Sequence, residues 1–135
     1  MSMTSLEKFE YWLDIAEYDL KTAQAMYDSG RLLYVTFMCQ QAIEKLCKGL
    51  YNLYVDDNIP RMHNIRSILR RFADKFQTPV TEDQYRFFDS LTAFYLEGRY
   101  PEHTQKLSEL VHESEARDIL AKAKEEFAWL LAQKL

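Results

Sequence analysis

The sequence predicts an all-α fold, an antiparallel up-and-down helical bundle of four main helices plus one shorter helix. Composition is the first observation, because three Gly and three Pro leave little material for the tight turns of a many-stranded protein. Periodicity is the second, since apolar residues recur at steps of three and four along most of the chain. Length is the third: 135 residues, 47% of them apolar, suit a single domain, residues 1–135, with one hydrophobic core.

The first two helices are predicted to form an antiparallel hairpin. The first begins near Leu6, where Thr4 and Glu7 have the spacing of a capping box, and Gly30 suits the left-handed residue that follows its end. The second runs from about Leu32 to Asp56, after so short a link that it must turn back along the first. Helical spacing predicts their buried positions: Leu6, Phe9, Leu13, Ala16, Leu20, Ala23 and Tyr27 in the first helix, and Val35, Cys39, Ala42, Leu46, Leu50 and Leu53 in the second.

The remaining helices follow the polar DDNIP turn. A shorter helix is predicted from Asn64 to Phe76, and Thr81 is predicted to cap a fourth helix that runs to about Glu97 and ends at Gly98. The last helix is predicted from about Glu113 to Lys134. The inward positions are predicted to be Ile65, Ile68, Leu69 and Phe72 in the third helix, and Ala116, Leu120, Ala123, Phe127 and Leu130 in the last. Within residues 102–112, Leu107, Leu110 and Val111 are compatible with a short helix that has Pro101 in its first turn.

The fourth helix is unusually aromatic, and two interpretations stay open. Aromatic residues at helical spacing usually belong to a core. An exposed aromatic patch on a water-soluble chain usually meets a partner, and a homodimer is then the expected assembly. The residues concerned are Tyr85, Phe87, Phe88, Phe94 and Tyr95.

Several functional classes are not indicated. The N-terminus lacks the apolar run of a secretory signal and no 18-residue stretch is free of charge, so we expect a cytoplasmic protein with no membrane segment. Cys39 and Cys47 would lie roughly 12 Å apart along a helix, too far for a disulfide, and are expected to be reduced core residues. No metal-ligand spacing, Gly-rich phosphate loop or nucleophile elbow occurs, so we predict neither a metal site nor a cofactor.

One polar strip interrupts the second helix. At ~100° per residue, four side chains fall within an arc of about 100°. The spacing of Glu44 and Lys48 is that of an i, i+4 ion pair, which favours a solvated face with local charge pairing. The alternative is that the lysines contact an anion. The strip consists of Gln41, Glu44, Lys45 and Lys48.

Basic charge is concentrated in residues 61–75. This segment contains five basic residues and one acidic residue, Asp74, so its net charge is +4. Because the whole chain has a net charge of −4, the remaining residues together have a net charge of −8. Arg66 and Arg70 are four residues apart and suit two-point contact with phosphate oxygens. They could equally pair with acids on neighbouring helices. His63 is expected to cap or pack, and His112 to lie on the surface. The five cations are Arg61, Arg66, Arg70, Arg71 and Lys75.

Four stretches in this order resemble the HEPN domain family: WLDIAEYDLKTAQAMYDSGRLLYV, QQAIEKLCK, PRMHNIRSILRRF, and GRYP after the aromatic helix. The resemblance implies an antiparallel helical bundle that commonly dimerises and often works beside a minimal nucleotidyltransferase. One branch of the family comprises metal-independent RNases that act as toxins in toxin–antitoxin pairs. In that branch the active residues are an Arg and a His, separated by four to six residues. Both subunits of the dimer contribute them to the active site.

The resemblance places this Arg at Arg99 and this His at His103. Only Tyr100, Pro101 and Glu102 separate the two, one residue fewer than in the RNases, and Gln105 stands where some toxins carry a Tyr that receives a nucleotide. The GRYP stretch is similar to that of non-toxin members associated with nucleotidyltransferases.

The leading expectation is therefore a non-enzymatic protein that binds a nucleotide or an RNA end and works with a separate nucleotidyltransferase. The predicted anion contacts are Lys45, Lys48, Arg66, Arg70 and Arg99. One alternative is a metal-independent endoribonuclease that uses Arg99 and His103, with His103 as base and Arg99 as the cation. A second alternative is a module for protein–protein interaction alone.

Overall fold

The computed structural model describes residues 2–99 and 106–134, with the backbone alone at residues 95–99 and 107. Within these ranges the chain is all-helical and contains no strand, as the sequence predicts. The helices are α1 (Ser5–Asp28), α2 (Leu32–Tyr54), α3 (Ile65–Leu69), α4 (Glu82–Arg99) and α5 (Glu113–Leu131), with 3₁₀ turns at Ala73–Lys75 and Leu107–Glu109.

Helix α1 begins and ends as its sequence predicts. The Thr4 hydroxyl accepts a hydrogen bond from the backbone N–H of Glu7, and the Glu7 carboxylate accepts one from the N–H of Thr4, which completes the capping box. After the helix, Gly30 has a φ of 76°, the left-handed conformation that glycine adopts without a Cβ clash. This sharp end lets α2 start at Leu32 and return along α1.

Helix α2 is the centre of the fold, since it contacts each of the other four helices. Helix α1 runs antiparallel to it, and Lys8 near the start of α1 forms an ion pair of 2.6 Å with Asp57 just after α2. Tyr54 at the end of α2 donates a hydrogen bond to the carbonyl of Gln133, so α5 ends beside α2. The core residues of α2 are fully buried: Val35, Cys39, Ala42, Ile43, Leu46, Cys47 and Leu50.

A close approach of α1 and α2 occurs at Gly49. A Cβ built at this position would lie 3.0 Å from the Cβ of Trp12 and 3.2 Å from Cδ2 of Phe9. The absence of a side chain at Gly49 therefore lets the hairpin close tightly at this level.

The third predicted helix is correct in its buried face but wrong in its continuity. Ile65, Ile68, Leu69 and Phe72 are all fully buried. The α-helix nevertheless ends at Leu69, and the chain continues into a separate 3₁₀ turn at Ala73–Lys75. Asn64 caps α3, because its side-chain oxygen accepts a hydrogen bond from the N–H of Ser67 at 3.0 Å. Phe72, Ala73 and Phe76, on either side of this break, are also buried.

Helix α4 is capped as predicted but ends later than predicted. Thr81 and Gln84 exchange hydrogen bonds of 3.1 and 2.8 Å between side chain and backbone. The helix then continues through Gly98 to Arg99, so Gly98 is not its terminator. A glycine tolerates the helical conformation as well as the left-handed one, so a lone Gly does not fix a helix end.

Helix α5 starts at Glu113, as predicted, and ends three residues earlier than predicted. Its predicted inward residues Ala116, Leu120, Ala123, Phe127 and Leu130 are all buried. Gln84 of α4 donates a hydrogen bond of 2.7 Å to the buried carboxylate of Glu126, which links α4 to α5. Both cysteines are buried free thiols, which confirms the prediction made for them.

Candidate functional site

A buried carboxylate, that of Glu44, lies at the centre of a polar cluster on α2. The side chain of Glu44 is 0% exposed, and its Oε2 atom is 3.1 Å from the ammonium of Lys48 and 3.3 Å from that of Lys45. Nδ1 of His63 lies 3.2 Å from both carboxylate oxygens. Because an ionised carboxylate only accepts hydrogen bonds, Nδ1 carries the hydrogen of this contact. One carboxylate is thus shared by two ammonium groups and one imidazole.

Gln40 ties this cluster to the neighbouring elements. Its Nε2 donates to the carbonyl oxygen of His63 at 2.8 Å and to Oε1 of Glu44 at 3.3 Å. Its Oε1 accepts a hydrogen bond of 3.4 Å from the hydroxyl of Thr92 on α4. Gln40 is fully buried, so these contacts replace the water that its amide loses. We call the group Gln40, Glu44, Lys45, Lys48, His63 and Thr92 the Glu44 cluster.

The polar strip of α2 is therefore not a solvated face, and that interpretation of the sequence is wrong. The predicted i, i+4 pair of Glu44 and Lys48 is present, but Glu44 is fully buried and the Lys48 residue is only 8% exposed. Lys45 lies at the rim, with a side chain 21% exposed. On α1, burial raises the pKa of Asp19, and the nearby charge of Lys45 opposes this effect. Asp19 thus extends the cluster toward α1.

A second polar group lies where α3 meets α4. The guanidinium of Arg66 contacts Asp89 at 2.9 Å and Glu82 at 3.0 Å, and it lies 4.7 Å from the centre of the Tyr85 ring. Arg70 lies over the same ring at 5.4 Å. Among the residues that the structure describes, Arg70 forms no ion pair with an acid. We call Arg66, Arg70 and Tyr85 the arginine–tyrosine platform.

The two arginines of the platform affect the pKa values of the side chains around them. The hydrogen bond from Arg66 lowers the pKa of Glu82. Burial raises the pKa of Tyr85, against the opposing effect of the two arginines. Of the two alternatives for these arginines, pairing with acids on a neighbouring helix holds for Arg66, whereas Arg70 remains an exposed cation.

One face of α4 contributes residues to both the Glu44 cluster and the arginine–tyrosine platform. Glu82, Tyr85, Asp89 and Thr92 are spaced by three, four and three residues, so they lie on the same side of the helix. Arg99 follows Thr92 by seven residues, which keeps it on this face, about 10 Å farther along the axis. The backbone therefore places Arg99 in line with the residues of α4 that contact α2 and α3. The predicted partner, His103, lies outside the described residues, and so does the side chain of Arg99.

The predicted anion contacts thus fall into two neighbouring groups. Lys45 and Lys48 come together at Glu44, and Arg66 and Arg70 come together at Tyr85. Gln40 and His63 were missed by sequence reasoning as members of the site. The available signal was the i, i+4 spacing of Gln40 and Glu44, which is also common on solvated helices.

Two absences hold for the described part of the chain. No group of three or more His, Cys, Asp or Glu side chains there could hold a metal ion. None of the helices there is both long and apolar enough to span a membrane.

The chain was compared with known proteins. The model of the HEPN domain family matches residues 9–133, nearly the whole chain. Among proteins with curated descriptions, none matches. Among solved structures, TT1696 from Thermus thermophilus has a similar fold, with a TM-score of 0.78 and 22% sequence identity over 93% of this chain and 98% of that chain.

Proposed function

The chain belongs to the HEPN domain family, and from this premise we propose that it binds a nucleotide or an RNA end as the partner of a separate nucleotidyltransferase. The observation that carries the proposal is that two ammonium groups, those of Lys45 and Lys48, share one buried carboxylate, that of Glu44. Asp19 of α1 lies near Lys45 and offsets part of this positive charge. A phosphate at the rim of this cluster would gain charge-assisted hydrogen bonds that Glu44 alone does not saturate.

The arginine–tyrosine platform, where α3 meets α4, supports the same proposal. Arg70 is exposed and, among the described residues, forms no ion pair with a carboxylate. Its guanidinium can therefore donate hydrogen bonds to a phosphate without breaking an ion pair. Tyr85 is partly buried beneath both arginines, so its ring fixes the position of Arg70. The platform therefore offers a held cation next to the Glu44 cluster.

The experiment measures the unfolding temperature of the protein with increasing ATP at low and at high salt. We expect ATP to raise the unfolding temperature and salt to reduce the effect, because binding that depends on phosphate contacts is screened. The informative variants are Arg70→Ala and Lys45→Ala. Each removes a cation without unpairing a buried acid, because Lys48 still holds Glu44. Each should weaken ATP binding about ten-fold, the usual effect of losing a charge-assisted hydrogen bond.

The matched control is Arg117→Ala, which removes one exposed cation from α5 and should leave ATP binding unchanged. Arg66→Ala is a poorer probe, because it leaves Glu82 and Asp89 without their shared cation. No salt-sensitive shift with any nucleoside triphosphate, or equal effects of Arg70→Ala and Arg117→Ala, would contradict the proposal.

We also propose that the protein acts in the cytoplasm as a homodimer. The exposed aromatic surface that supports a dimer is on α1 and the start of α2, where Tyr18 is 74%, Tyr11 58% and Tyr34 44% exposed. The aromatics of α4 that the sequence suggested for this role are largely covered, with Phe88 fully buried and Phe87 and Phe94 partly buried. Sedimentation of the purified protein tests the assembly, and a monomer at high concentration would contradict it.

A second candidate function is metal-independent RNA cleavage by Arg99 and His103, the activity of the toxin branch. The observation that favours it is the continuation of α4 through Gly98, which puts Arg99 on the face that carries Thr92. The test is to incubate structured RNA with the protein in the presence of a chelator. Cleavage that is lost in both Arg99→Ala and His103→Ala would support the enzyme, and intact RNA at high protein concentration would exclude it.

A further inference from the structure

The two arginines of the arginine–tyrosine platform differ in their partners. The Nε and Nη2 atoms of Arg66 donate hydrogen bonds of 3.0 Å to Asp89 and Glu82, and its side chain is only 18% exposed. Arg70 is exposed and forms no ion pair with an acid among the residues that the structure describes. A phosphate that approached Arg66 would therefore meet two carboxylates, whereas Arg70 is open to a ligand.

Tyr85 holds both guanidinium groups in place. The centre of its ring lies 4.7 Å from the guanidinium carbon of Arg66 and 5.4 Å from that of Arg70. Both are cation–π distances, and the half-buried ring is itself anchored in the fold. A guanidinium is flat, so it stacks on aromatic groups through its faces and donates hydrogen bonds from its edges. Arg70 can thus hold an aromatic group on its face and still donate to a phosphate from its edge.

The platform and the Glu44 cluster are as far apart as the two ends of a nucleotide. Tyr85 of the platform and Thr92, which contacts the cluster through Gln40, lie two turns apart on one face of α4. This separation is about 10 Å along the helix axis. The phosphate and the base of a nucleotide are separated by a comparable distance. The ammonium groups of Lys45 and Lys48 therefore suit the phosphate, and the flat cations of the platform suit the base.

We propose that the arginine–tyrosine platform binds the base of the ligand, with the face of Arg70 against the base, while Lys45 and Lys48 bind its phosphate. This inference depends on the proposed function, because it names the part of the ligand that each group holds. A base inside a duplex has no free face, so the ligand is a free nucleotide or the end of a single-stranded RNA. All four bases should be accepted, since every base has a π-face.

The experiment compares the affinities for ATP and for inorganic tripolyphosphate, which has three phosphates but no base, in metal-free buffer. The wild type should bind ATP roughly ten-fold more tightly, as expected for one stacked base. Arg70→Lys keeps the charge but removes the flat face. This variant should therefore bind the two ligands equally, and tripolyphosphate as tightly as the wild type does. Lys45→Ala should weaken the binding of both ligands by the same factor.

The matched control is Arg86→Lys, because Arg86 is an exposed arginine of α4 that pairs with Asp83. It should keep the wild-type preference for ATP. Tyr85→Leu removes the ring that holds Arg70 and should reduce this preference, and its unfolding temperature without ligand shows whether it folds. A short single-stranded RNA with a 5′ phosphate, added as a competitor, distinguishes the two sources of the base. Tighter binding than that of ATP identifies an RNA end, and weaker binding identifies a free nucleotide.

Two outcomes would overturn the inference alone. One is equal binding of ATP and tripolyphosphate by the wild type, and the other is an Arg70→Lys variant that keeps the full preference for ATP. In both cases phosphate binding itself persists. Absence of binding by both ligands would overturn the proposed function as well.

Discussion

The ammonium of Lys48 lies 3.1 Å from the carboxylate of Glu44, four residues earlier on α2, and that carboxylate is fully buried. A charge removed from water in this way is stable only while its partners remain. Glu44→Gln leaves Lys48 buried without its counter-ion, and we expect it to lower the free energy of unfolding by about 3 kcal/mol. Urea denaturation measures the change.

The matched control is Glu82→Gln at the other polar group. Arg66 keeps Asp89 at 2.9 Å, and the Glu82 side chain is 55% exposed, so the loss of stability should be much smaller than that of Glu44→Gln. Equal effects of the two substitutions would show that Glu44 is not the structural centre of its polar cluster.

Gly49→Ala tests the close approach of α1 and α2. The new Cβ would meet the Cβ of Trp12 at 3.0 Å, so the helices must separate slightly, at a cost of about 1–3 kcal/mol. Alanine is otherwise the better helix former by about 1 kcal/mol, so an increase in stability would show that the contact is not limiting.

Gly30→Ala serves as a comparison with a different cause. Among the described residues, apart from Gly30 and its two chain neighbours, no atom lies within 4 Å of a Cβ built at Gly30, and the penalty there comes from its φ of 76°. Gly30→Asn should recover part of the loss, because Asn tolerates the left-handed conformation. Gly49→Asn should recover none of the stability that is lost in Gly49→Ala.

The capping box of α1 predicts a pH-dependent stability. Hydrogen bonds from the backbone and side chain of Thr4 lower the pKa of Glu7 below its usual value of 4.5. The stabilisation is therefore complete above pH 4.5 and is lost as the pH falls below it. Glu7→Gln should reduce stability at neutral pH and flatten this acid limb in thermal melts followed from neutral pH down to acid. An unchanged acid limb would contradict the prediction.

The two thiols are predicted to be protected in the folded protein. Burial raises the pKa of Cys39 to about 12 and raises that of Cys47 further still. A thiol-specific reagent at mildly alkaline pH should react with neither thiol in native buffer and with both in urea. Rapid modification of either without denaturant would contradict their placement in the core.

The exposed tyrosines of α1 test the proposed dimer. Tyr11→Ala combined with Tyr18→Ala should weaken self-association at least ten-fold, as expected for aromatic residues at the centre of an interface. Both side chains are exposed in the single chain, so the unfolding temperature at low protein concentration should change little. Sedimentation and thermal melts separate these effects, and Phe87→Ala on α4 is the comparison for the surface suggested by the sequence.

Local signals in the sequence predicted much of the fold. Thr4 with Glu7, Thr81 and Gly30 each form the cap or turn that their residue types favour. The prediction was wrong at Leu69 and Gly98, because a break within a short helix and a helix end at glycine depend on packing beyond the local sequence.

The candidate site was less predictable, for a physical reason. The spacing of Glu44 and Lys48 is the same on a solvated helix as on a buried one, and burial here comes with contacts from His63, 19 residues away. Arg66 likewise finds Asp89 and Glu82 only because α3 packs against α4. Contacts of this range cannot be derived from helical periodicity.

The amide of Gln40 holds the hydroxyl of Thr92 through one atom and the carbonyl of His63 through the other. Gln40 therefore joins α4 to the loop that carries His63. The link between α4 and the backbone of His63 is thus made by a single polar side chain and not by the hydrophobic core.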